Sequence, residues 1–465
     1  MFNKEEYINR RQRLSGQFKS GILLFLGNED SPMNYADNTY HFRQDSTFLY
    51  YFGINSPGLA VVFDLDAGQT ILFGDEMSMD DIVWMGRQKT LQEKASEVGL
   101  EALQPVASLA SLLTTASKKG AEIHFLPPYR AKNKIRLSEL LSVNIQSVGP
   151  LASVSLIRAV VAQRSIKSAV EIQEIHTAVS TSVDMQLLAM QLSRPGMTEQ
   201  KVAAALQEVA VTAGGNIAYP IILTINGQIL HNHYHGNVLK EGDLVLNDSG
   251  AETPMGYAGD LTRTFPAGKT FTTLQKELYS VVLNSYQSAA ALLKPGVRYL
   301  DVHFEACLQL AEGLKALGLM KGDMKEAVHQ GAHALFFQCG TGHMMGLDVH
   351  DMEDLGEQYV GYSDDLQKDT SQFGLKSLRL GKALEAGYVL TVEPGLYFIP
   401  ELIDQWASQK HLSSFINYDQ VNQYKSFGGI RVEDDFVITA DGSSILGKPL
   451  ALAIDEIEQI RSNAY

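Results

Sequence analysis

Apolar residues recur in two rhythms along this chain, and the change of rhythm divides it. Over the first 160 or so residues, short apolar runs are bounded by turn formers. GILLFLGN predicts a strand, and LAVVFDLDAGQTILFG predicts a hairpin turning at Ala67-Gly68-Gln69. Leu100 to Ser117 is expected to be helical, and AEIHFLPP to be a strand closed by its prolines. From Ala169 the pattern lengthens. Ile172, Ile175, Val179, Val183 and Leu187 step by three and four, as one helical face does, until Arg194-Pro195-Gly196 ends the run. A second helix should run from Thr198 to Gly214-Gly215, followed by strands in IAYPIILTI and DLVLND and helices around Leu274–Leu293 and Asp301–Leu317. A boundary therefore falls between Ala162 and Ser168. An α/β domain over residues 1–162 is expected to precede an α+β domain over residues 168–465, with no internal repeat visible.

At 465 residues the chain exceeds one ordinary core, which agrees with two domains. A net charge of −15 argues against nucleic acid or an anionic membrane surface as partner. The two cysteines, Cys307 and Cys339, are too few for a disulfide framework and suit a reducing compartment. MFNKEEYINRRQRL lacks the apolar core of a signal peptide, and no apolar run reaches the ~20 residues that span a bilayer. A cytoplasmic protein is expected.

Five residues of the second half carry the chemistry: Asp248 in LVLND, Asp260 in YAGDLTRTF, His343 in GTGHMMGLDVH, Glu393 in VLTVEPGLYF and Glu433 in GGIRVEDDFVIT. Singly each is ordinary, because an Asp after a strand usually forms a turn and a Glu before Pro-Gly is usually solvated. Together, one imidazole and four carboxylates make an oxygen-rich set suited to two hard or borderline divalent cations. Two such ions can activate water and polarise a carbonyl, as a metal-assisted hydrolase requires.

In these motifs, and over nearly its whole length, the chain resembles the aminopeptidase P and prolidase family of peptidases. The resemblance implies that the second domain has the pita-bread (creatinase/aminopeptidase-like) fold. It implies that Asp248 chelates one ion, that Asp260 and Glu433 bridge both, and that His343 and Glu393 complete the second. Two Mn²⁺ ions are the expected cofactors, with Co²⁺ or Zn²⁺ as alternatives. His231 in ILHNHYHGN and His350 in LDVH match the family's substrate-binding and catalytic histidines. Glu393 can also shuttle a proton. Arg431, two before Glu433 and so on the same strand face, can order that carboxylate or contact substrate. NYADNTYHFRQDSTFLYYFGINSPG resembles the family's N-terminal domain, which supports a homo-oligomer (dimer or tetramer) and partly covers the site.

The implied reaction removes the residue before a proline at the second position of a peptide. A bond preceding proline is a tertiary amide without N–H, so a site that grips the carbonyl and houses the ring suits it. Aminopeptidase P accepts longer peptides and prolidase accepts dipeptides. The N-terminal aromatic stretch favours the first; GLKSLR, with Arg379 placed to hold a dipeptide's free carboxylate, favours the second. We take Xaa-Pro aminopeptidase as the expectation and Xaa-Pro dipeptidase as its alternative. A creatinase-like amidinohydrolase would not need the metal set, and a non-enzymatic peptide-binding relative would have lost part of it.

Two departures from the family pattern stand out. Asp248 and Asp260 are twelve positions apart, one more than expected, with the extra residue placed near Thr253-Pro254. Cys339 stands where the family usually has a histidine, four before His343, and a thiol is a weaker hydrogen-bond donor. No activating partner marks Cys339 as a nucleophile. His233 and His235 are expected to be loop or rim residues, and His303, His329 and His333 packing or surface residues.

Overall fold

The computed structural model of the chain describes residues 1–464, so Tyr465, the end of the expected second domain, lies outside it. Contacts divide the chain into two compact units, residues 1–164 with 352–359 and residues 165–351 with 360–465.

The first unit is built on a five-stranded sheet in the order Ala102–Gln104, Gln69–Phe73, Ala60–Asp64, Ile22–Leu26, Ile123–Phe125. The three central strands pair antiparallel, and each outer strand runs parallel to its neighbour. Alternate side chains of the strand Ile22–Leu26 serve opposite faces. Ile22 and Leu24 pack with Leu109, Leu113 and Leu137 of the helices Leu109–Lys118 and Ala131–Leu141. Phe25 meets Tyr51 and Phe52 of the helix Ser46–Phe52, with ring centroids 5.6 Å apart in both cases. The expected hairpin is present. The expected helix from Leu100 is not: Ala102–Gln104 forms a strand against Ile71–Phe73, and the helix starts only at Leu109. Pro105 explains the difference, since it lacks an N–H and disfavours helical conformation in the residue before it.

In the second unit the helix Ala169–Leu192 begins where Glu171 accepts the Ser168 N–H at 3.0 Å. Thr198 caps the helix Glu199–Thr212. IAYPIILTI is not one strand but two, Asn216–Ile217 and Ile222–Thr224, split at Pro220. Two three-stranded antiparallel sheets follow, one ordered Thr262–Pro266, Leu244–Asp248, Ile222–Thr224 and the other Val389–Val392, Asp434–Ile438, Ser443–Ile445. A ribbon joins Gly395–Tyr397 to Gly429–Arg431. Helices Thr273–Ala290 and Tyr299–Ala316 complete the unit's main elements. Thr253-Pro254, where the extra residue between the aspartates was expected, lies in a turn closed by the Gly256 N–H on the Thr253 carbonyl at 2.8 Å.

Arg263 ties the sheets together. Its guanidinium donates to the Thr262, Glu433 and Ala451 carbonyls and to Asp434 Oδ1 at 2.8 Å, while Tyr286 donates to Asp434 Oδ2 at 2.6 Å. Arg263 is 1% exposed, so its removal leaves the buried Asp434 carboxylate without its cationic partner. Arg263→Ala should lower stability by about 3–5 kcal/mol in urea denaturation. Lys448→Ala, which breaks a pair with Asp184 that is half open to water, should cost less than about 1 kcal/mol. Equal losses would contradict the assignment of Arg263 as the buried tie.

Candidate metal centre

Backbone pairing brings distant carboxylates into one row. Asp248, at the end of its strand, pairs with Thr262, and Thr262 bridges in turn to Glu433. On the other side, Thr391 donates its N–H to the His343 carbonyl at 3.1 Å, and Glu393 donates its N–H to the Thr341 carbonyl at 2.7 Å. These bonds hold His343 and Glu393 side by side at the end of the strand Val389–Val392. Asp260 enters from the hairpin arm, its N–H bonded to Asp435 Oδ2 at 2.9 Å.

The five expected ligands, Asp248, Asp260, His343, Glu393 and Glu433, line one cavity of about 240 Å³. Donor atoms of Asp260, His343 and Glu433 lie within 4.8 Å of one another. His343 Nε2 is 3.4 Å from Asp260 Oδ2 and 3.5 Å from Glu393 Oε1. Its Nδ1 is 3.1 Å from the Met344 carbonyl; with that nitrogen as the N–H donor, Nε2 keeps a lone pair toward the carboxylates. His231, His350, Arg379 and Arg431 line the same cavity. The His350 ring stands edge-on to His343 with centroids 4.2 Å apart. His231 is exposed at the cavity's solvent side.

The electrostatics are unbalanced. Burial pushes Glu393 up from 4.5 to about 7, against the pull of His343 and Arg431. Burial, reinforced by Asp260, holds Glu433 well above the ordinary carboxylate range, and Asp435 is raised in the same way. Asp248 is raised by burial despite the Arg431 guanidinium bonded to it. For Asp260 burial works upward, but hydrogen bonding and attraction from His343 leave it below its ordinary value. Partial desolvation by the cavity wall lowers His231 below its ordinary value, against the pull of Asp248. Like charges crowded in a dry site cannot all ionise without compensating cations. Divalent metal ions fit this donor set on chemical grounds, because carboxylate oxygens with one imidazole are what hard and borderline cations take.

Arg431 is committed within the protein. It donates to Asp248 Oδ2, to Thr262 Oγ1 at 3.1 Å and to the Tyr397 hydroxyl at 2.9 Å. Thr262 Oγ1 in turn donates to Glu433 Oε2 at 2.6 Å. Arg431 thus reaches Asp248 directly and Glu433 through Thr262. Cys339 lies in the cavity wall, and burial beside Glu393 pushes its thiol up to about 12. It is protonated at neutral pH and is no nucleophile. Of the other histidines, His233 lines the cavity, and His235 Nε2 lies 3.1 Å from the Ile221 carbonyl.

Two residues were missed from the sequence. The Tyr219 hydroxyl lies 2.7 Å from Asp248 Oδ1 and 2.5 Å from Asp260 Oδ1, and its single proton can serve only one of them at a time. Nothing in the sequence marks a tyrosine before Pro220. Asp435 did leave a signal, since it lies two residues from Glu433 and so faces the same way on its strand, while Asp434 turns toward Arg263.

Comparison with known proteins agrees with this geometry. Residues 171–440 match the model of metallopeptidase family M24, and residues 7–124 match the aminopeptidase P N-terminal domain. The Xaa-Pro aminopeptidase of Escherichia coli (strain K12) is 31% identical over 471 residues, covering 98% of each chain. The Xaa-Pro dipeptidase of Homo sapiens is 28% identical over 466 residues, covering 98% of this chain and 92% of that protein. Among solved structures, E. coli aminopeptidase P with the inhibitor Pro-Leu superposes with a TM-score of 0.80 at 29% identity, over 100% of this chain and 99% of that one. Zinc-substituted E. coli aminopeptidase P in complex with product gives a TM-score of 0.80 at 28% identity, with the same coverage. The expected order, an α/β N-terminal domain followed by an α+β pita-bread domain, is the one found. Family M24 implies divalent metal ions, which the buried carboxylates are suited to hold. The chain belongs to metallopeptidase family M24 and carries the N-terminal domain of aminopeptidase P.

Proposed function

We propose that this metallopeptidase is an Xaa-Pro aminopeptidase that uses two divalent ions, Mn²⁺ by the hardness of the donor set, to release the residue preceding a proline. The observation that carries the reading is the convergence of one histidine and four carboxylates, three of them raised by burial, on a single cavity. In this proposal Asp248 would hold one ion, Asp260 and Glu433 would serve both, and His343 and Glu393 would hold the other. When bound, the ions supply an activated water and a polarised carbonyl.

The remaining steps fall to the chain's own groups. Glu393 can take a proton at a carboxylate oxygen and return it to the departing prolyl nitrogen. His350, against the His343 ring, and His231 on the solvent side are placed to donate hydrogen bonds to the peptide carbonyls as negative charge develops. Pro220, Ile222, Leu230 and Val349 give the cavity an apolar wall for the prolyl ring. Arg431 acts in this account by positioning Asp248 and Thr262, and contacts substrate only at the margin of those bonds.

A second reading, an Xaa-Pro dipeptidase, is favoured by one observation: Arg379 lines this cavity and does not stand on an outer surface. A guanidinium there can grip a dipeptide's free carboxylate through both oxygens. The relatives bear both names, so substrate length decides. A cytoplasmic homo-oligomer, dimer or tetramer, is part of the same proposal. Among the described residues no helix is long and apolar enough to cross a membrane.

Chelated protein should be inactive, and Mn²⁺ should restore activity at two ions per chain; full activity at one ion would contradict the dinuclear centre. His350→Ala should keep its metal but lose roughly 10²-fold in turnover, and a wild-type rate would remove its catalytic role. Arg379→Ala should weaken hydrolysis of Xaa-Pro dipeptides much more than of Xaa-Pro-Xaa tripeptides if the chain is a dipeptidase. Equal losses, or none, support the aminopeptidase.

The same charges set a pH dependence. Glu393, Glu433 and Asp435 titrate higher in the folded chain than in the unfolded one. From 4.5 to about 7 the metal-free fold therefore holds extra protons on these groups, and their contribution to its stability falls as pH rises. The raised His343 acts in the same direction, and the contribution of depressed Asp260 is already complete above the ordinary Asp range. His231, His303 and His333, lowered by desolvation, act the opposite way, because below 6.5 the unfolded chain takes up their protons more readily than the fold does. Divalent ions compete with the protons of the carboxylate centre, so they should raise Tm more at about pH 7.5 than at about pH 5. A rise in Tm that is no larger at the higher pH would contradict the electrostatic account.

A further inference from the structure

Behind the loop that carries His343 lies a second group of metal-capable side chains, which the carboxylate centre does not use. His303 and Cys307 sit one turn apart on the helix Tyr299–Ala316 and so share a face. His333 comes from the short 3-10 helix Ala332–Leu335. All three are at most 1% exposed. One donor atom from each lies within 4.8 Å of the other two.

The spacing already fits an ion. Cys307 Sγ is 3.5 Å from His303 Nε2. A sulfur at about 2.3 Å and a nitrogen at about 2.0 Å from a tetrahedral zinc ion would themselves be about 3.5 Å apart. His303 Nδ1 is hydrogen-bonded with Thr341 Oγ1 at 2.8 Å, the kind of outer bond that fixes a ligand's tautomer. With Nδ1 as the donor, the Nε2 lone pair faces the thiol.

His333 is the second, independent observation. Neither of its ring nitrogens makes a hydrogen bond of ordinary length and angle, although the side chain is buried, and the Val328 backbone acts weakly on one of them. Its ring stands edge-on to His303, with centroids 6.3 Å apart. Ordinary packing accounts for the His303–Cys307 contact but leaves at least one nitrogen of His333 unexplained, and buried polar atoms of that kind are rare. Burial lowers His303 to about 3 and His333 to about 4, so both imidazoles are neutral and have a lone pair to give at neutral pH.

We infer that His303, Cys307 and His333 form a separate binding site for one borderline-soft divalent cation of the zinc type. Two imidazoles and a thiolate prefer such an ion, whereas the oxygen-rich centre prefers a harder one, so the two sites would sort metals by ligand chemistry. Cys307 Sγ loses its proton to solvent as the metal–sulfur bond forms, and metal uptake therefore strengthens as pH rises. The ion would fasten the helix Tyr299–Ala316 to the 3-10 turn. Through His303 it would also steady Thr341, whose carbonyl accepts the Glu393 N–H at 2.7 Å and the Tyr299 hydroxyl at 3.1 Å.

The test counts zinc in full-length Glu433→Ala protein, in which the carboxylate centre is disabled, after loading with Zn²⁺ and removing loosely held ions with a chelator. One zinc per chain should remain, and adding Cys307→Ser or His333→Gln should abolish it. Co²⁺ in place of zinc should give a thiolate-to-cobalt charge-transfer band in the near ultraviolet. That band should vanish with Cys307→Ser and survive Cys339→Ser. Absence of retained zinc and of the band in Glu433→Ala itself, where Cys307 and His333 are intact, would overturn the inference whether or not the further variants fold. So would zinc retention unchanged by Cys307→Ser, or a band that follows Cys339.

Discussion

The burial of several carboxylates around too few positive charges is the constraint on which the second unit depends. Asp248, Asp260, Glu433 and Asp435 are each at most 8% exposed, and the first three line the cavity with Glu393, where His343 and the guanidinium groups of Arg431 and Arg379 are the basic side chains nearest them. Two like charges 4–5 Å apart repel by about 4 kcal/mol at an effective dielectric near 20. The chain meets part of this cost with fixed dipoles and protons. Tyr219 offers a hydroxyl to two aspartates, Thr262 offers one to Glu433, and Arg431 neutralises Asp248. The rest is met by protonation, as the upward shifts of Glu393 and Glu433 show, or by divalent cations. A site that is strained when metal-free and relaxed when loaded binds metal tightly, and the family's dependence on divalent ions follows from the same imbalance.

The scaffold supplies this arrangement through backbone pairing, which is insensitive to side-chain identity. The row from Asp248 through Thr262 to Glu433 is a sequence of sheet contacts, and the His343–Thr391 and Thr341–Glu393 bonds place the other two candidate ligands, His343 and Glu393. Arg263 locks the row from behind by bonding to the Thr262 and Glu433 carbonyls. Of the five candidate ligands, Asp248, Glu393 and Glu433 project from a strand or its end. Asp260 and His343 come from irregular segments whose backbone is bonded to Asp435 and Thr391, the kind of support that precise metal geometry needs. Arg379 and His350, which would meet the variable part of a substrate, come from irregular segments.

Much of this was legible in the sequence because the donors are chemically distinctive. Asp248, Asp260, His343, Glu393 and Glu433 each sit in recognisable flanking text, and all line one cavity. Their supporting partners were less visible. Asp435 could be placed by strand alternation, but Tyr219 and Thr262 act through contacts between segments far apart in the chain, and their residue types are ordinary for strands. Local pattern failed where a proline overrode it. Pro105 turned the start of an expected helix into a strand, and Pro220 split an expected strand in two. Cys339 was seen to depart from the family's histidine, but only the structure shows a half-buried thiol beside Glu393 whose pKa is pushed up to about 12.

The central claim is that cations replace protons in a buried carboxylate cluster, and proton release on metal binding tests it most directly. Calorimetric titration of the chelated protein with Mn²⁺ near pH 6, repeated in buffers of different ionisation enthalpy, counts those protons. The account expects more than one proton released per chain, because Glu393 and Glu433 are both held above their ordinary range and His343 is raised beside them. Mn²⁺ binding with no net proton release at that pH would mean that the carboxylates are already ionised, and would contradict the account.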